Sequence, residues 1–388
     1  MKLFVILSRV PYPLEKGDKL RAFNQIKQLS KKHQIVLLAL NDDKLDERAI
    51  DELKKYCVAI SIVPFSKLTV FFNLIRALFN GKPLQVGYFY FSKAQKKVDE
   101  LIKKHNPDHI YCQLIRTSEY VKKYKNVPKT LDYMDVFSKG IERRKTTDSL
   151  FMKPFLAMEY KRLLAYENLV FDYFKNKTII SEQDKNFIPH PKRQEIKVVP
   201  NGVDTDYFVP VELEKKYDLL FNGNMNYPPN VESVEYLVNK IMPLVWDKQP
   251  NTSLLISGAS PNKKVLALKS GRVEVSGWVD DIRDNFAQSK ILIAPMQISI
   301  GLQNKLLEAM AMKIPCVTST LANNAIGAKH NNQIIVADTP EQYADSIIEL
   351  LQNPQKAKQI GINGYRFVLN NFNWNTTTSI LDKLIAGK

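Results

Sequence analysis

Short apolar runs alternate with helical stretches along this chain, and the alternation breaks once and then restarts. In the first half, runs at 3–8, 35–40, 59–63, 109–113, 129–133 and 178–181 read as strands. Helical patterns at 19–31, 47–55, 92–104 and 153–175 lie between them. In the second half, strands are expected at 218–222, 253–258, 273–276, 291–295, 314–318 and 333–336, again separated by helices. Strands joined through helices pair in parallel, so the expected fold class is α/β with two doubly wound sheets. The intervening segment, 189–217, is rich in Pro, Lys and Glu and reads as a linker with one short strand at 196–199. The last segment, 357–388, reads as two helices broken near Asn370 and Asn371. Two Rossmann-like units facing a central cleft are the natural architecture for this pattern.

A length of 388 residues agrees with two domains, and 45% hydrophobic with 25% charged residues is an ordinary globular composition. Lys and Arg number 56 against 40 Asp and Glu, a formal net charge of +16. Such an excess points to an acidic partner: nucleic acid, an anionic membrane face or a phosphorylated substrate. Cys57, Cys112 and Cys316 form no CxxC pair, which favours neither a zinc site nor a disulfide framework and fits a reducing compartment. The apolar run at the start is short and meets Arg9 at once, so it reads as a first core strand rather than a signal peptide. No run is long enough to span a bilayer. The expectation is a cytoplasmic protein, soluble or held at the inner membrane face.

Several segments carry chemistry in residue type and spacing. In 301–312 (GLQNKLLEAMAM), a Gly turn opens a short helix with Asn304, Lys305 and Glu308 on one face and Leu306, Leu307 and Met310 on the buried side. On spacing alone this is either an amphipathic surface helix or the mouth of an anion site. In the second case Gly301 would allow close backbone approach, Lys305 would supply a cation and Glu308 would accept from a ribose diol. The turn 277–282 (GWVDDI) follows a strand and offers a nucleobase a flat wall; alternatively its Asp is a helix N-cap. The loop 11–21 (PYPLEKGDKLR) follows the first strand with Gly17 and the cations Lys16, Lys19 and Arg21, but it is no Walker loop, and GxGxxG is absent. At another strand end, 132–138 (DYMDVFS), Asp135 is a candidate base or acceptor-orienting group, with a capping role as the alternative. Residues 68–79 are apolar with Lys67, Arg76 and Lys82 at the rim, which suits an interfacial membrane helix or a buried core helix. The five His are isolated, with no HExxH and no convincing DxD, so no metal is expected.

These segments in order, together with 200–208 (PNGVDTDYF), 221–230 (FNGNMNYPPN) and 372–374 (FNW), resemble the GT-B glycosyltransferases. The similarity is to glycosyltransferase family 4, and within it to bacterial sugar transferases of exopolysaccharide systems. The resemblance implies a GT-B fold with a first domain at 1–190 facing the acceptor and a nucleotide-sugar domain at 191–365. A helix at 366–388 would pack back on the first domain. It implies a retaining, metal-independent transfer of a sugar from a nucleotide-sugar, a UDP- or GDP-sugar, to a cell-surface polysaccharide or lipid-linked glycan. No cofactor beyond that donor is implied, and a peripheral contact with an anionic membrane is expected. Glu308 matches the second Glu of the family's E-x7-E motif, which holds the ribose. Gly301, Leu302 and Gln303 would offer amides to the phosphates, beside Asn304. Trp278 and Val279 match the base-contacting turn, and Gly17 matches a first-domain glycine near the donor phosphates.

Two departures stand out. Ile300 occupies the place of the first Glu of E-x7-E. The Arg and Lys often found after the first strand of the second domain are absent, with Gly223, Asn224 and Asn226 in that loop instead. The phosphate cation is therefore expected from Lys305, with Lys19 or Arg21. Many family members carry a His near Asp135; this chain does not. Asp135, Lys305 and Glu308 form the expected catalytic set. Two rival classes remain: an NDP-sugar epimerase or hydrolase of the same fold, which would need a facing acid/base pair that the loops lack, and a basic nucleic-acid-binding protein, against which the dispersed Lys and Arg argue.

Overall fold

The computed structural model describes residues 1–147, 150–298 and 301–387. The chain divides into two units: Met1–Pro200 with Thr377–Lys388, and Asn201–Thr376.

The first unit holds a parallel sheet of seven strands: β1 (Lys2–Leu7), β2 (Gln34–Asn41), β3 (Cys57–Pro64), β4 (His109–Gln113), β5 (Lys129–Asp132), β6 (Asn176–Ile179) and β7 (Lys197–Val198). Their spatial order is β3-β2-β1-β4-β5-β6-β7. In register, Leu3 of β1 faces Ile35 of β2 on one side and His109 of β4 on the other. Both faces of this sheet are covered, which is why β1 and β2 read as unbroken apolar runs rather than alternating ones. Phe4, Ile6, Val36 and Leu38 join a core with Val98 and Leu163 from helices Ser92–His105 and Lys153–Phe171. Leu3, Val5, Leu7, Ile35 and Leu37 face the opposite core, with Ala22 and Ile26 of helix Gly17–Leu29.

That second core also takes Leu381 and Ile385 from the last helix, Trp374–Ile385, so the chain's end returns to the unit where it began. Burying two such side chains contributes roughly 1.5–3 kcal/mol each. Lys32 Nζ donates to Asp382 at 2.6 Å, His33 Nε2 lies 2.7 Å from the same carboxylate, and Asn176 Nδ2 donates to the Leu384 carbonyl at 2.8 Å.

The second unit is a parallel sheet of six strands: β8 (Tyr217–Asn222), β9 (Leu254–Ser257), β10 (Val273–Gly277), β11 (Ser289–Ala294), β12 (Cys316–Thr318) and β13 (Ile335–Val336). Its order is β10-β9-β8-β11-β12-β13. The first strand in chain order therefore lies mid-sheet in both units, and the fourth lies beside it. This reversal of strand order opens a crevice outside the carboxyl ends of β1 and β4, and likewise of β8 and β11, the place where open α/β sheets bind ligands. The loops after β8 and β9 pack closely there: a Cβ on Gly258, whose φ is +133°, would sit 1.8 Å from the Gly223 carbonyl oxygen.

Two expected motifs meet within the second unit. Val203 N donates to the Phe372 carbonyl at 2.6 Å, so the 200–204 turn pairs with the 372–374 segment. A Cβ on Gly202 would fall 2.7 Å from the Trp374 amide nitrogen.

Helix Lys67–Phe79 buries only Ala77. Its Leu68, Phe71, Phe72 and Phe79 are 59–86% exposed, so the core-helix reading of 68–79 does not hold. The helix is tied at its end, where Arg162 donates to the Ala77 and Leu78 carbonyls.

Candidate functional site

In the second unit, Gly301 takes a left-handed φ of +68° and leads into helix Asn304–Ala311. A left-handed turn at no steric cost is what glycine supplies. The helix begins beyond the end of β11, at the strand-order reversal. The turn presents the positive end of the helix dipole, while the Leu306 amide already donates to the Gln303 carbonyl at 3.1 Å. The Asn304 Oδ1 is buried without a hydrogen-bond partner among the described residues. Leu302 packs against the core, and Gln303 precedes the helix as its N-cap. Ile300, the position of the missing Glu, lies outside the described residues.

Lys305, expected to supply the phosphate cation, is held inside the fold. It is 8% exposed; its Nζ donates to Asn230 Oδ1 at 2.7 Å and lies 4.2 Å from the centre of the Phe221 ring. The reason is the angle at which this helix enters: the face carrying Lys305 turns toward the end of β8 instead of toward solvent. Asn230 Nδ2 in turn donates to the Asn224 carbonyl at 3.0 Å, so a polar chain joins the helix start to the loop after β8. Burial pulls the Lys305 ammonium down to about 7, against the attraction of Glu308. Burial likewise pushes the partly buried Glu308 carboxyl up to about 7, opposed by Lys305. Two groups of opposite sign, each short of a charged contact within ion-pair distance among the described residues, are held at one helix start. Such perturbed pairs are a mark of functional sites.

The other expected donor residues of the second unit fall on the same carboxyl edge of the sheet, after β8 and β10. Gly223 spends its amide on the Ser257 carbonyl at 3.0 Å, so its closeness serves packing. Asn224 is exposed, and its Oδ1 accepts from the Asn226 amide. Trp278 is 68% exposed beside Gly277, whose φ is +72°, and Val279 is partly buried. Asp281 caps helix Ile282–Ala287 by accepting from the Arg283 amide at 3.0 Å, the capping role left open above.

In the first unit, Gly17 begins helix Gly17–Leu29, and a Cβ there would meet nothing within 4 Å. Lys19 is partly buried and lines a small hollow with Arg9, Lys16 and Asp42. Arg21, expected to share the role of phosphate cation, is committed to the fold instead. It is fully buried, with Nε 2.6 Å from Asp132 Oδ2 and Nη2 3.1 Å from Oδ1. Thr178 donates to the same carboxylate at 3.0 Å, and the Tyr111 hydroxyl lies 2.9 Å from it. Burial opposes the Arg21 charge, but Asp132 outweighs it and holds the pKa above the usual value. A bidentate pair with every acceptor used is architecture, not a free cation.

Asp135 stands three residues on, after Met134 at φ +57°. Burial, with Asp184 adding to it, pushes its carboxyl up to about 6, so it is poised to exchange a proton near neutrality. Two cations in this region carried no motif: Arg9 and Arg116. Arg9 follows β1 directly and pairs with Asp18 at 2.8 Å. Arg116 lies in a short turn after β4, its guanidinium carbon 4.9 Å from the Phe89 ring centre and 4.7 Å from that of Phe137. Only a place just past a strand end marked them in the sequence. Among the described residues, no three His, Cys, Asp or Glu cluster to hold a metal, and no helix is long and apolar enough to cross a membrane.

Residues 216–353, most of the second unit, match the family model described as Glycosyl transferases group 1. An uncharacterized protein in the cps region of Klebsiella pneumoniae is 25% identical over 398 residues, covering 96% of each chain. Among solved structures, the sucrose-phosphate synthase of Thermosynechococcus elongatus superposes with a TM-score of 0.72 at 15% identity, over 100% of this chain and 99% of that one. The Anabaena HepE structure in complex with UDP and glucose gives 0.69 at 13% identity, over 99% of both. At such identities the structures speak for the fold, and the family model for the enzyme class. Together they make the chain a GT-B glycosyltransferase whose group 1 signature lies in its second unit.

Proposed function

We propose that this chain transfers a sugar, with retention of configuration and without a metal, from a UDP- or GDP-sugar to a cell-surface polysaccharide or lipid-linked glycan. The observation that carries the reading is the helix start at the β8/β11 reversal, where the left-handed Gly301 precedes Lys305 and Glu308. In this reading the amides of 301–303 and the helix dipole hold the donor phosphates. Glu308 accepts from the ribose diol, and Trp278 with Val279 borders the base. As the bond from the anomeric carbon to the diphosphate breaks, negative charge grows on the leaving oxygen. Donors already aimed at that oxygen stabilise the transition state more than the ground state. Lys305, buried and near its protonation midpoint, gains its full charge when the diphosphate arrives. The acceptor hydroxyl attacks from the leaving-group face, with Asp135 as the acceptor-side group.

The polysaccharide side of the proposal is supported by the cps-region relative, and the nucleotide-sugar side by HepE, whose structure holds UDP and glucose. Membrane contact is supported by helix Lys67–Phe79, which exposes Leu68, Phe71, Phe72 and Phe79 beside Lys67 and Arg76. Apolar side chains with a basic rim suit an anionic bilayer surface. The test is a panel of UDP-, GDP-, ADP- and dTDP-sugars scored by thermal stabilisation and by release of nucleoside diphosphate. A UDP- or GDP-sugar is expected to raise the melting temperature. Stabilisation by none of the four classes would reject the reading.

A further inference from the structure

The carboxyl edge of the first unit's sheet gathers charged groups that the donor chemistry does not use. Arg9 follows β1, Asp42 follows β2, and Arg116 follows β4, on both sides of the β1/β4 reversal. Two of the three carboxylates whose charge Arg116 feels, Asp18 and Asp42, are engaged elsewhere, the third being Asp135. Asp18 pairs with Arg9 at 2.8 Å, and the Tyr88 hydroxyl donates to Asp42 at 3.2 Å. Arg116 itself has a neutral partner: its Nη2 donates to Gln85 Oε1 at 2.7 Å. Its Nε is buried with no hydrogen-bond partner, and it makes no ion pair among the described residues.

This cation lies against two aromatic rings, with a second guanidinium nearby, Arg9 at 5.9 Å from the same Phe89 ring centre. Burial and the like charge of Arg9 both weaken its hold on its proton, bringing it to about 10. A partly desolvated guanidinium with an empty N–H, beside a like charge, is costly for a fold to keep without a counter-ion. Two residues past neighbouring strand ends hold strained backbone. Leu114, two residues earlier, has φ +64° with ψ 149°, a region that belongs almost wholly to glycine, and Met134 lies at φ +57° before Asp135. Each costs on the order of 1–3 kcal/mol and tends to be kept where a site must be aimed.

We propose that Arg116, supported by Arg9, holds an oxyanion of the acceptor, so that the acceptor is an anionic glycan rather than a neutral one. The planar guanidinium suits a carboxylate or a phosphate equally. The anion is therefore the carboxylate of an acidic sugar or the diphosphate of a lipid-linked one. Asp135, whose charge Arg116 feels, is placed on the same edge to meet the acceptor's hydroxyl. This inference rests on the sugar-transfer reading but is tested apart from it.

The experiment is titration calorimetry on the full chain, first saturated with whichever nucleoside diphosphate raises its melting temperature. Inorganic pyrophosphate, methyl glucuronide and methyl glucoside are then added separately. One of the two anions is expected to bind more tightly than the glucoside: pyrophosphate for a lipid-diphosphate acceptor, glucuronide for an acidic sugar. Arg116→Gln should weaken that anion by about tenfold or more, as expected for losing a hydrogen bond to a charged group. Arg116→Lys should lose less, and Arg9→Gln less than Arg116→Gln. None of the three should change nucleoside diphosphate affinity. If Arg116→Gln does not fold, Arg116→Lys and Arg9→Gln carry the comparison. Binding of neither anion, equal binding of the glucoside, or anion binding indifferent to these variants would overturn the inference. A chain that no nucleoside diphosphate stabilises would reject the sugar-transfer reading instead.

Discussion

Arg21 in the first unit and Lys305 in the second are both buried cations just inside a helix start, yet their surroundings are opposite. Arg21 meets a carboxylate through two hydrogen bonds, and Asp132 has two further partners in Thr178 and Tyr111. Lys305 meets a neutral amide and an aromatic face, and its nearest acid, Glu308, lies beyond ion-pair distance. Burial leaves the first cation fully charged and the second half-charged near neutrality. A saturated pair holds a fold together; an unsaturated one waits for a ligand. The contrast separates scaffold from site within one sheet edge type, and Arg116, whose Nη2 meets only the neutral Gln85, stands on the site side.

The contrast breaks most visibly on the paired side. Asp132→Ala leaves Arg21 buried without its counter-ion and should cost about 3–5 kcal/mol in folding, read by urea denaturation. A loss under about 1 kcal/mol would mean the pair is not structural.

On the unpaired side, Glu308→Gln removes a strong acceptor but also a buried charge. Donor affinity should fall roughly tenfold to a hundredfold, the value of a hydrogen bond to a charged group, with the melting temperature of the unliganded protein unchanged or raised. A parallel loss of folding stability would place Glu308 with Arg21 as scaffold.

A third effect is in the pH dependence of stability. The Glu308 carboxyl, raised to about 7, keeps in the folded state a proton that the unfolded chain releases near 4.5. Its contribution to stability therefore falls as pH rises from about 4.5 to about 7. Lys305, lowered to about 7, has lost in the folded state a proton that the unfolded chain keeps to about 10.5. Its contribution therefore rises from about 7 to about 10.5. The two meet in a trough near neutrality, which Lys305→Met with Glu308→Gln should flatten in a melting-temperature series. An unchanged curve would show that neither group is perturbed.

Much of the fold was legible because a sheet covered on both faces writes itself as apolar runs: β4 falls on the expected 109–113, and the break at 370–371 lies where helix Pro354–Asn371 ends. The charged site was legible only in part. Spacing placed Lys305 and Glu308 on one helix face, but the direction of that face depends on how Asn304–Ala311 meets Phe221 and Asn230, contacts distant in sequence. For the same reason Arg21 read as a loop cation, although its partner Asp132 lies 111 positions away. Arg116 was silent because a lone Arg in a turn has no pattern; what marks it is the pair of aromatic rings and the strained Leu114.

The central claim is that the helix start at 301–308 binds the donor's nucleoside diphosphate, and the most direct measurement is ligand-induced thermal stabilisation of the native chain beside Glu308→Ala. The account predicts that UDP or GDP raises the melting temperature of the native chain and that the shift is largely lost in the variant, whose unliganded melting temperature is no lower. Full donor affinity together with a full transfer rate in Glu308→Ala would contradict it.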